Sequence, residues 1–142
     1  MKEFLPKLQI LTSFILLLIM VVVSYWLVRP YEPVIYNENP FPIITPIVEA
    51  GNNVLYHSDT CRTVTGKVLV SRTLRNDVLI NLPDRTFTQE KAECVSFNNA
   101  SVEIPTFAPS GIYTIEITSC FQVNPIREVC SKVLTEEFEV IN

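Results

Sequence analysis

Glycine is scarce, with three in 142 residues, and histidine occurs once, at His57. A loop that cradles phosphate needs closely spaced glycines so that backbone N–H groups can approach the ligand; a nucleotide fingerprint is therefore excluded. The four cysteines contain no C-x2-C knuckle and the lone histidine has no second one to join, so a zinc site lacks its ligand set. A close C-x-x-C pair for thiol redox work is missing as well. Glu136, Glu137 and Glu139 gather acid near the C-terminus, but no D-x-D-x-D-G pattern accompanies them, and they read as a solvated strand edge rather than a calcium site. No basic stripe exists: from residue 47 onward there are twelve acidic and eight basic side chains, so nucleic acid is not an expected partner. His, Asp and Cys come together only in YHSDTCR, residues 56–62. An anchored hydrolase around His57 and Asp59 would need those types in contact, whereas the same composition describes a polar turn entering a strand, which is the preferred reading. No enzymatic activity, metal or cofactor is expected.

Charge is missing altogether from residues 8–28, LQILTSFILLLIMVVVSYWLV. At about 1.5 Å rise per residue this length matches a bilayer core of roughly 30 Å, which makes the segment a transmembrane helix. A cleaved secretory signal would have a shorter apolar core and a small-residue cleavage site, yet no alanine or glycine stands between Met1 and Ala50. Tyr25 and Trp26 fall near the far end, where amphipathic rings favour the headgroup level, and Arg29 ends the span. Lys2, Lys7 and the terminal amine outweigh Glu3 on the near side. The positive-inside rule then places residues 1–7 in the cytoplasm and everything after Pro30 outside it, in a bacterial periplasm or at a host cell surface. Within the span, Gln9, Thr12, Ser13 and Ser24 share a narrow stripe. The stripe has two readings: a face for self-association into a homo-oligomer, although no GxxxG accompanies it, or polar residues tolerated in a simple anchor.

Five of the ten prolines (Pro30, Pro33, Pro40, Pro42 and Pro46) fall within residues 29–46. Proline fixes φ and removes a donor, so the segment is expected to be an extended stalk. Its apolar second half, with Phe41, Ile43 and Ile44, is expected to lie against the domain as a first edge strand. Residues 47–142 then suffice for one small sandwich core. GKVLVSRTLRNDVLINLP sets Val68 and Val70, then Val78, Ile80 and Leu82, on alternate positions about Arg75-Asn76-Asp77, which reads as a hairpin. Val95 and Phe97, Val102 and Ile104, and Tyr113, Ile115, Ile117 and Phe121 alternate in the same way. About seven short strands divided by turn residues predict an all-β sandwich.

In CFQVNPIREVC a reversal near Pro125 sets Cys120 opposite Cys130, Thr118 opposite Lys132 and Phe121 opposite Val129. Apolar residues then share one face and the cysteines the other, and opposed residues of an antiparallel pair lie close enough for a disulfide. By elimination Cys61 pairs with Cys94, although four cysteines allow three connectivities and spacing alone does not choose among them. An even count in a domain placed outside the cytoplasm on other grounds favours disulfides over free thiols.

The stretch VEIPTFAPSGIYTIEITSCF, residues 102–121, resembles the E strand, corner and F strand of an immunoglobulin-like domain, with Tyr113 near the corner. The resemblance runs over residues 102–141 and implies an Ig-like β-sandwich. It departs from the family at two points: the core tryptophan is absent, since Trp26 lies in the span, and Ile115 stands where antibody-type domains carry the second cysteine of the inter-sheet disulfide. The layout of short cytoplasmic end, single span, proline stalk and small sandwich resembles small membrane proteins encoded by bacteriophages. The expected function is a non-enzymatic, membrane-anchored ectodomain that binds another envelope, virion or cell-surface protein by loops or a strand edge. The alternative is a lysis factor resembling phage holins that have one span and a folded periplasmic domain, motivated by the polar stripe.

Overall fold

The computed structural model describes residues 4–142, with side chains described from Gln9 onward. The cytoplasmic segment expected at 1–7 therefore lies largely outside the described residues, including Lys2 and the side chain of Lys7. Two compact units divide the chain, one ending at Tyr31 and the other running Glu32–Asn142.

The first unit is α1 (Phe4–Val28), within which Gln9–Val28 has a mean hydropathy of 2.5 and is long and apolar enough to cross a membrane. Its side chains from Gln9 to Val28 are all exposed. The Arg29 N–H donates to the Tyr25 carbonyl at 3.0 Å, and the Arg29 guanidinium stands 5.7 Å from the Tyr25 ring centroid, so one turn carries both ring and cation at the helix end. In the polar stripe the Thr12 hydroxyl donates to the Gln9 carbonyl at 2.9 Å and is thus used within its own helix.

The second unit is built of β1 (Val34–Tyr36), β2 (Ile47–Glu49), β3 (Asn53–Arg62), β4 (Gly66–Arg75), β5 (Leu79–Gln89), β6 (Cys94–Glu103), β7 (Gly111–Asn124), β8 (Arg127–Leu134) and β9 (Phe138–Ile141). They form two curled sheets. One has three strands in the order β1-β3-β6; the other runs β2-β9-β7-β4-β5, with β8 also pairing β7. Neighbours are antiparallel except β2 and β9. Strand alternation explains the core: Val54 and Tyr56 from β3, Leu74 from β4, Ile80 and Leu82 from β5, and Tyr113, Ile115 and Ile117 from β7 all point between the sheets. Gly51 turns the chain from β2 into β3 at φ 92°, a left-handed conformation that glycine adopts without a Cβ penalty.

The hairpin expected around Arg75-Asn76-Asp77 is β4–β5, with Arg75 opposite Leu79; Val78 belongs to the turn and is exposed. The segment 29–46 differs from a stalk. The folded unit starts at Glu32 rather than residue 47, β1 pairs β3, and Val34 and Phe41 are buried, Phe41 to 2% exposure. Prolines do not prevent this because β1 is an edge strand and Pro33 precedes it. Beyond β1 the Phe41 N–H donates to the Leu134 carbonyl and the Glu136 N–H to the Phe41 carbonyl; residues 42–45 then bond to β3, and from Pro46 the chain joins β9 as the parallel strand β2. The apolar second half of the segment is the edge element that its composition implies. At the junction of β8 and β9, Thr135 is buried, and its hydroxyl accepts from the Ile115 N–H while donating to the Glu136 carbonyl, filling in for a ladder bond.

On the outward face of β7, Glu116 is held by Lys132 at 3.1 Å and Arg75 at 2.6 Å. The hydrogen bond from Lys132, with the charges of Lys132 and Arg75, holds its carboxyl below the usual glutamate value against a weaker effect of burial. A depressed folded-state value stabilises the fold above the unfolded-state value, and that stability is lost as pH falls through the folded one. Glu116→Gln is expected to lower stability by about 0.5–1 kcal/mol at neutral pH, as for a partly exposed ion network. The difference should vanish once acid has protonated Glu116 in both states, and urea unfolding of both proteins at the two pH values measures it.

Candidate functional site

The buried residues form two clusters, a large one around Phe41, Tyr56 and Ile115 and a small one of Val34, Val64, Val68 and Phe121. Between them the sheets do not close, leaving a cleft of about 310 Å³. Its floor is aromatic: the Phe41 ring stacks on Tyr56 at 6.1 Å and meets Tyr36 edge-on at 5.8 Å.

The mouth is shaped by two bulges. Val70 pairs with Arg85 and Arg72 with Leu82, so β5 carries an extra residue around Pro83 and Asp84. Ile80 and Leu82 point inward before it; after it the inward positions are Arg85, Phe87 and Gln89, of which Arg85 and Phe87 line the cleft. Opposite His57, β6 carries an extra residue at Asn98 and Asn99, and the inward parity changes from Val95 and Phe97 to Ala100 and Val102. Bulges re-aim side chains at sheet edges, and here they turn Arg85, Phe87 and Phe97 toward the opening.

Three guanidinium groups line the cleft, and no acidic side chain among the described residues does. Arg62 is engaged, donating to the Gln89 carboxamide oxygen with its guanidinium 4.9 Å from the Phe87 ring centroid. Arg72 takes the next inward position after Val68 and Val70 on β4, between Leu82 and Ile117. It is 8% exposed; one terminal nitrogen donates to the Pro83 carbonyl at 2.9 Å, and its Nε has no partner. Burial lowers the pKa of Arg72 and the neighbouring Arg85 lowers it further, with Tyr56 and Asp84 pulling the other way. The Tyr36 hydroxyl is likewise buried outside hydrogen-bond geometry; burial raises its pKa, with Ser119 and Arg62 pulling the other way.

The residues singled out from sequence fall elsewhere. Cys120 faces Cys130 in the expected register, Thr118 faces Lys132 and Phe121 faces Val129, and disulfides join Cys120–Cys130 and Cys61–Cys94. Both bridges cross between adjacent strands on outward faces, because Ser119 and Phe121, and Thr60 and Arg62, take the inward positions. Cys120, Glu128 and Cys130 form a grouping with metal-ligand spacing, but two of its three ligand atoms are spent in the disulfide. YHSDTCR is not a turn: it lies within β3, where Tyr56, Ser58, Thr60 and Arg62 line the cleft on alternate positions. His57 approaches Glu38 at 3.7 Å and Cys61 is bonded, so no histidine-activated nucleophile is assembled there. Tyr25, Trp26 and Arg29 stay together at the end of α1. The cleft arginines were visible as one signal, an arginine at the parity of Val68 and Val70 in GKVLVSR.

No protein-family model matches this chain, and no curated protein matches it.

Proposed function

We propose that the chain is a single-pass membrane protein, cytoplasmic at its N-terminus, whose extracytoplasmic Ig-like domain recognises another envelope, virion or cell-surface protein without catalysis. The apolar surface of α1 from Gln9 to Val28 supports the anchor, since apolar side chains exposed over that length are costly in water and favourable in lipid. The two disulfides support an oxidising compartment. For the Ig-like topology, β1, β3 and β6 correspond to strands A, B and E, while β4, β5, β7 and the β8–β9 pair correspond to C, C′, F and G. The Tyr113 hydroxyl donates to the Pro109 carbonyl at 2.9 Å, the bond expected of a tyrosine corner. Among the described residues no strand stands in the place of D.

The observation that carries the recognition reading is the loop end of the domain, where the turns after β2, β4 and β6 gather. Thr106 meets the Gly51 turn and Asn76 meets Gly111 there, and Phe107 in the loop after β6 is 74% exposed, with Leu79 at 65% and Ile112 at 60% on the strands that start at this end. Large apolar groups held in water by a rigid scaffold mark a contact surface. The chain enters the unit at the opposite end, where Thr63 bonds to Glu32 and Pro33. The holin-like alternative rests on the polar stripe, in which Thr12 already bonds within its helix.

A photo-crosslinking residue at position 107 of the full chain, activated in the cells that carry the gene, tests the reading. A discrete adduct that disappears with Ile112→Asp is expected. Absence of any adduct, together with abrupt lysis on induction, would replace recognition by permeabilisation.

A further inference from the structure

We propose that the inter-sheet cleft is a binding site for a small carboxylate carried on an aromatic or short aliphatic body, the carboxylate meeting Arg72 and Arg85 and the body lying on Tyr36, Phe41 and Tyr56. This goes beyond recognition of a protein partner, because the cleft opens on the side of the sandwich between β5 and β6 and not at the loop end.

Charge carries the first step. The domain is acidic overall, yet three of its eight basic side chains converge on one cleft with no acid among the lining residues. Asp84 and Glu103 line an adjoining recess with Arg72 and Arg85, but no ion pair within 4.0 Å joins either arginine to an acid among the described residues. Asp84 acts on Arg72 only from beyond ion-pair distance, so two neighbouring cations, one of them buried, gain from an anion placed between them.

Hydrogen bonding narrows the class. Of the cleft-lining side chains, Arg72 Nε and the Tyr36 hydroxyl beside Ser119 are the unsatisfied atoms, both are able to donate, and the exposed Arg85 adds a planar fork of donors. A carboxylate is acceptor-only and flat, which suits guanidinium forks. The aromatic floor offers an apolar body a surface to stack on, which a bare phosphate could not use. A volume of about 310 Å³ sits at the small end of ligand pockets, which run from about 300 to 1,000 Å³. Pro83 and the two bulges disrupt both strand edges at the mouth, so an added partner strand is disfavoured and a compact ligand is favoured.

The test uses the full chain in lipid nanodiscs, with empty nanodiscs subtracted, titrated by ligand-observed NMR with 3-phenylpropanoate, 3-phenylpropanamide and inorganic phosphate. The acid is expected to bind at least tenfold more tightly than the amide or phosphate. Because Arg72 is buried and its loss could unfold the domain, the diagnostic variant is Arg85→Gln at an exposed position. Loss of one charge-assisted contact should weaken the acid roughly ten- to hundredfold. Arg75→Gln, on the outward face with Glu116, should leave binding unchanged. Equal binding of acid and amide, phosphate binding as well as the acid, or an Arg85→Gln protein that binds like the native one would each overturn the proposal.

Discussion

Replacing Cys61 and Cys94 together by serine is expected to lower the stability of the Glu32–Asn142 unit by about 3.7 kcal/mol, from the loop-closure entropy of a bridge spanning 33 residues. The same argument for Cys120–Cys130, spanning 10 residues, gives about 2.7 kcal/mol. Urea unfolding followed by the near-UV signal of the domain tyrosines measures both. Serine adds no desolvation cost of its own at Cys94, which is exposed. The larger loss has a structural side: among the described residues β6 pairs only with β3, so without the bridge one ladder and the packing of Val102 hold the strand that carries Phe97 and Ala100 of the cleft wall. Amide hydrogen exchange should therefore accelerate in β6 before β7, which is paired on both sides. For a small domain with a net stability of roughly 5–15 kcal/mol, loss of both bridges leaves folding marginal. Equal exchange in β6 and β7 after the double replacement would show that the bridge does not anchor this sheet.

Phe41→Ala is expected to cost about 3–5 kcal/mol, the range for emptying a fully buried phenylalanine site. The residue is 2% exposed, stacks on Tyr56, and ties the segment before β2 to Leu134 at the end of β8 and to Glu136 beyond it through two backbone bonds. A proline-rich stalk would show no effect of the same change, so the measurement separates a folded unit that begins at Glu32 from one that begins at residue 47. Ile35→Ala, at an exposed β1 position, serves as the control and should change stability by well under 1 kcal/mol.

Period-two patterning made the β7–β8 hairpin readable. With one reversal at Pro125 and a strict inward and outward division, only one register puts Phe121 and Val129 on a shared face and the cysteines on the other. The apolar helix was readable from length and lack of charge alone. Residues 29–46 were not, because the prolines that suggest a stalk are equally at home on an edge strand, and Phe41 is tied by its backbone to partners more than ninety residues later, Leu134 and Glu136. The cleft was hidden for a related reason. Val95 and Phe97 occupy odd positions while Val102 and Ile104 occupy even ones, a parity break that marks the β6 bulge but has meaning only once β3 is set beside it. In β5 the break falls at Pro83, and it is pairing with β4 that turns Arg85 inward. Of the cleft arginines, Arg72 is the one whose place in the alternation shows without knowledge of a partner strand.

The claim on which the rest depends is that residues 32–142 fold in an oxidising compartment with the sulfurs joined as Cys61–Cys94 and Cys120–Cys130. Mass spectrometry of peptides released by protease added outside intact cells or spheroplasts, without reductant and with free thiols blocked, tests it directly. The account expects two linked peptide pairs of that connectivity and no blocked cysteine. Four alkylated cysteines, or a domain that externally added protease cannot reach, would contradict it.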